Sequence, residues 1–94
     1  MKALKQIANN QVVICEGNYG EYKYEFYSYG TLIATYEDKT RQLALTEYYD
    51  YSRTTSKYLK IFLSEYCGIW YEDKRDLNKM IKEGVIGNVN ISLI

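Results

Sequence analysis

At 94 residues with no break in composition, the chain has room for one hydrophobic core that buries about two thirds of the unfolded surface, and none for a second domain. Twelve Lys and Arg balance twelve Asp and Glu, and there are no histidines and two cysteines, which disfavours strong nucleic-acid binding and excludes the usual structural zinc sets. No apolar run approaches the ~18 to 20 residues of a membrane span, and the opening Met1 to Asn10 lacks the apolar core of a secretion signal, so the expected location is the cytoplasm.

Residues 1 to 10 fit either a helical turn through Leu4 and Ile7 or a frayed arm. Gln11 to Cys15 holds the β-branched run Val12, Val13, Ile14 and predicts a buried strand, with Glu16, Gly17, Asn18 and Gly20 turning the chain. Glu21 to Tyr27 alternates, with Tyr22, Tyr24 and Phe26 on the core face. Tyr29-Gly30 suits a tight hairpin, and Thr31 to Tyr36 returns with Leu32 and Ala34 on one side and Ile33 on the other. A third strand of this meander is expected over Arg41 to Tyr49, with Leu43 and Leu45 on one face.

Period two then gives way to period 3.6. Ser52 is the best helix N-cap, with Thr54 as its rival, and Thr55, Leu59, Phe62, Leu63 and Tyr66 form an apolar stripe that ends at Gly68. Asp73 starts a second helix with Leu77, Met80 and Ile81 facing inward, and Gly84 ends it. Val89, Ile91 and Leu93 alternate with Asn90 and Ser92 and predict a closing strand. The expectation is an α+β fold: an antiparallel sheet of about four or five strands, with two amphipathic helices packed on one face.

The compositional excess is tyrosine, 12 in all. Tyr27, Tyr29, Tyr48, Tyr49, Tyr51 and Tyr71 fall near strand ends and loops, as rings of a recognition surface would, while Tyr22 and Tyr24 are expected to fill the sheet. Residues 16 to 50 carry seven acids against three bases, whereas residues 51 to 94 carry seven bases against five acids. Glu37, Asp38, Glu47 and Asp50, interleaved with tyrosines, are either solvated hairpin acids or a mimic of phosphates. Arg53, Lys57, Lys60, Arg75, Lys79 and Lys82 form a basic back to the helices. Cys15 and Cys67 are expected to be reduced packing residues. No motif of catalysis is present, whether a histidine base, a nucleophile elbow, a phosphate-cradling glycine loop or a Cys-x-x-Cys pair, so no catalytic residues, metal ligands or cofactors are assigned.

Ser28-Tyr29-Gly30-Thr31-Leu32-Ile33-Ala34, then Tyr49-Asp50-Tyr51-Ser52-Arg53-Thr54-Thr55-Ser56-Lys57 with Leu59 and Phe62, resembles small phage and prophage proteins of unknown function. The resemblance covers roughly residues 12 to 65. Its relatives often have histidine where this chain has Tyr58, so no histidine role carries over. It implies an origin on a mobile element and a location in the cytoplasm of a bacterial host, and proteins of that class and size often bind and block a host defence component.

The sequence therefore points to a non-enzymatic binding protein, an inhibitor of a host defence protein such as a CRISPR nuclease. Its contact residues are expected to be Tyr29, Tyr49, Asp50, Tyr51 and Arg53. The alternatives are a nucleic-acid-binding accessory protein using Lys57, Lys60, Arg75 and Lys79, and a structural protein that self-associates into a homo-oligomer.

Overall fold

The computed structural model describes residues 2–94. Five strands follow one another as an antiparallel meander: β1 (Lys2–Ala8), β2 (Gln11–Glu16), β3 (Lys23–Ser28), β4 (Thr31–Glu37) and β5 (Gln42–Leu45). Helices α1 (Arg53–Cys67) and α2 (Lys74–Glu83) come next, then a short hairpin of β6 (Val85–Ile86) and β7 (Val89–Leu93). Strand β7 returns beside β5 and runs parallel to it, giving the order β1-β2-β3-β4-β5-β7-β6. A parallel pair requires a long crossover, and the two helices supply it.

The α+β class is as expected, but among the described residues the sheet has seven strands rather than four or five. Two were missed. The opening segment is neither a helical turn nor a frayed arm, because it pairs along β2 and turns at Asn9-Asn10, where Asn10 takes φ 62°. The other is the two-residue β6. The expected strand over Arg41 to Tyr49 stops at Leu45, because Thr46 turns its hydroxyl back onto the carbonyl of Leu32 at 2.8 Å.

The register gathers the core onto one face. One cross-strand row runs Cys15, Tyr24, Tyr36, Leu43, Ile91, and the next runs Val13, Phe26, Ala34, Leu45. Leu59, Phe62, Leu63 and Cys67 of α1 and Leu77 of α2 cover this face in one continuous core. The expected sidedness of β4 needs correction, since a bulge opposite Phe26 and Tyr27 brings both Ile33 and Ala34 into the core and leaves Leu32 half-buried. Tyr29 and Gly30 both take positive φ, 52° and 77°, the twist a two-residue hairpin needs. On the opposite face, Lys2, Glu16, Lys23 and Glu37 stand side by side across four strands, so each charge neighbours its opposite and the register is reinforced.

One core position breaks the pattern. Gln11 is fully buried, and neither its Nε2 nor its Oε1 has a partner among the described residues. An unpaired buried amide costs about 1–3 kcal/mol. Gln11→Met keeps the length of the side chain and removes the amide, and should raise the melting temperature by several degrees. Phe62→Ala should lower stability by about 3–5 kcal/mol in denaturant titration, the usual range for a buried phenylalanine.

Candidate functional site

Helix α1 begins where the sequence indicated. Ser52, in extended backbone, accepts the Thr55 backbone N–H at 3.1 Å and caps the helix. The Thr55 hydroxyl is buried 2.9 Å from that of Ser28 on β3, while the Ser52 hydroxyl donates to Thr55 Oγ1 at 3.2 Å. The first turn of α1 is thereby fastened to the sheet. The loop before it is equally constrained, by turns that bond Tyr49 N–H to the Thr46 carbonyl and Tyr51 N–H to the Tyr48 carbonyl.

This loop, the start of α1 and the start of α2 enclose an open cleft of about 430 Å³. Three contacts hold its walls. The Tyr49 hydroxyl donates to Asn78 Oδ1 on α2 at 2.7 Å, Lys74 pairs with Asp50 at 2.9 Å, and Lys60 Nζ donates to the Glu72 carbonyl at 2.8 Å. Buried Tyr71 and Leu77 contribute apolar surface, and Arg53, Lys57 and Lys60, spaced at four and three residues, line the α1 side.

Of the expected contact residues, Tyr49, Asp50 and Arg53 line this cleft. Tyr51 is 71% exposed between Asp50 and Ser52 in the same loop. Tyr29, also exposed, lies in the β3–β4 turn, which the Ser28–Thr55 bond places at the same end of the sheet. Tyr71 is a correction to the tyrosine set, because it is only 5% exposed and is pushed up to about 12 by burial. Tyr49 is half-buried and holds α2, so it is a structural residue as well as a lining one.

The alternative basic set is divided. Lys57 and Lys60 line the cleft, whereas Arg75 and Lys79 do not. The acidic set is divided too, since Glu37 ends β4 and Asp38 follows it at one end of the β4–β5 hairpin, while Glu47 and Asp50 follow β5 at the other. Sequence reasoning missed Lys74, Glu72, Ser56 and Leu77 as cleft residues. Their signal lay in Asp73 as a helix cap, which sets one helix start against another, but the meeting of the two starts is tertiary.

Among the described residues, no group of three or more His, Cys, Asp or Glu could hold a metal ion, and no helix is long and apolar enough to cross a membrane. Both cysteines are free, and burial raises the Cys67 thiol above its usual range.

Tyr24, Tyr36, Tyr66 and Tyr71 are all raised, first by desolvation. A raised pKa means the folded state holds its proton more tightly than the unfolded one. The associated stability is present in full below about pH 9, then falls as pH rises toward about 12, where Tyr71 itself ionises. Thermal melts should be flat from pH 7 to about 9 and fall above that, with a shallower fall in Tyr71→Phe. A separate change, Tyr49→Phe, should cost about 1 kcal/mol by loss of the Asn78 bond while leaving the fold unchanged.

No curated protein and no solved structure matches the sequence. Residues 1–82 match the model of a family of unknown function (DUF8033), and the chain belongs to that family.

Proposed function

We propose that the chain is a non-enzymatic binding protein of mobile-element origin that acts in the host cytoplasm by occupying a surface of a host defence protein, such as a CRISPR nuclease. The observation that carries this reading is the convergence of Tyr49, Asp50 and Arg53 on one preformed cleft, with exposed Tyr51 beside it in the same rigid loop. A ring held by a constrained backbone loses little entropy on binding, and an arginine beside it supplies directional donors. The cleft joins apolar floor to charged rim, the anatomy of a recognition patch. The mobile-element origin and the defence target rest on the Tyr49 to Lys57 resemblance.

The test is a tagged pull-down from nuclease-treated bacterial lysate, run with the wild type and with Tyr51→Ala. Tyr51 is largely exposed and neither caps nor packs the core, so the variant should keep its melting temperature. One defence protein should be enriched by the wild type and reduced at least tenfold by the variant, and the purified complex should block that protein's activity. Capture that is equal in both, or that disappears with nuclease, would overturn the assignment.

A further inference from the structure

The two edges of the sheet are finished differently. At one edge β6 is only two residues long. At the other, β1 runs for seven residues, pairs with β2 on one side and meets no strand on its other side among the described residues. Alternate residues of an edge strand aim their N–H and C=O groups away from the sheet, so β1 is a template for one further strand. Lys2 to Gln6 are exposed, Leu4 to 67%. No proline interrupts the strand, and the main contacts of the helices are with β3, β4, β6 and β7.

The residues along this edge complement themselves. Leu4 stands beside Ile14 on the face away from the helices, and Lys5 stands beside Val13 on the helical face. A second copy related by a two-fold axis normal to the sheet pairs antiparallel and keeps each face continuous, so every residue meets one of the same facing. Lysines on an edge deter pairing, and like charges set directly opposite are destabilising, so Lys2 and Lys5 select among the registers. Centring the pair on Lys5 sets that lysine against its own copy. Centring on Ala3 sets the apolar Leu4 against Lys2, and centring on Gln6 runs into the irregularity between Gln6 and Ala8. Centring on Leu4 brings Lys2 against Gln6, Ala3 against Lys5 and Leu4 against Leu4, with no lysine opposite another.

We propose that the occupant of this edge is a second copy of the chain: two copies pair through β1 in the register centred on Leu4 and extend one continuous sheet. An aliphatic row then runs from Ile14 and Leu4 to Leu4 and Ile14 of the second copy, covering the exposed leucine of the strand. The formal charge of zero leaves no net repulsion between copies. Five paired residues from each copy make a small interface, which sets the expected affinity in the micromolar range. Strand β1 lends no residue to the cleft, so the pairing does not depend on the proposed function, and it gives the assembly two clefts.

Sedimentation equilibrium of the full chain from micromolar to millimolar concentration tests this. The wild type should pass from monomer to dimer across that range. Leu4→Lys, which sets lysines face to face at the two-fold axis, should weaken the dimer at least tenfold, with the melting temperature of the dilute protein unchanged. The register is read by cross-linking with an added copper oxidant: Leu4→Cys should form a disulfide-linked dimer at least tenfold faster than Gln6→Cys or the wild type, which controls for Cys15 and Cys67. A wild type that stays monomeric at millimolar concentration, a dimer equally strong in Leu4→Lys, or equal cross-linking of Leu4→Cys and Gln6→Cys would overturn the proposal. So would a monomer whose β1 amides gain protection only in complex with a captured protein, which would assign the edge to that protein's strand.

Discussion

The structure depends on how α1 is seated on β3. Phe62 stacks on Phe26 with ring centroids 5.5 Å apart, and the contact continues through Tyr66 to Tyr24 at 5.3 and 4.9 Å. Such aromatic pairs add to the stabilisation from buried area and also fix orientation. At the other end of the same interface, the buried Ser28–Thr55 bond fixes the rotation and axial position of the first turn. Dispersion and a polar anchor thus act on one helix from opposite ends. With α1 placed in this way, the loop entering it and the helix after it have little freedom, and the cleft at its start follows from the packing.

The two uses of tyrosine follow from the same geometry. Tyr24, Tyr36, Tyr66 and Tyr71 lie against or within the core, where burial raises their pKa values. Tyr19, Tyr29, Tyr48 and Tyr51 are exposed in turns and loops. Tyr49 links the two groups, with its ring on the core and its hydroxyl on Asn78. The charge at the start of α1 runs against the local preference for acids near a helix N-terminus, whereas α2 obeys it with Asp73 and Asp76. Departures from local preference of this kind are expected where a surface serves a ligand rather than the fold.

Both helices were legible because their signals are local. Ser52, Gly68, Asp73 and Gly84 bound them as caps, and the spacing of Leu59, Phe62 and Leu63 defines a face without reference to anything else. The hairpin at Tyr29-Gly30 and the closing strand from Val89 were legible for the same reason. Strand β1 was not, because its residues through Gln6 are exposed and show no alternation; it exists through pairing with β2. The bulge in β4 depends on the partner strand, so strict alternation misplaced Leu32 and Ile33. The junction of loop and helix stood out in the sequence as a change of period. Its enclosure by Lys74, Glu72 and Leu77 arises only when α2 folds back.

The central claim is that recognition runs through the junction of the Tyr48 to Ser52 loop with α1. Hydrogen–deuterium exchange on the chain, alone and saturated with the protein it captures, tests this most directly. The account predicts new protection in residues 49–60 and 71–77, with the amides of β1 and β2 unchanged. Protection confined to β1 and β2, with the loop and the start of α1 unaffected, would contradict it.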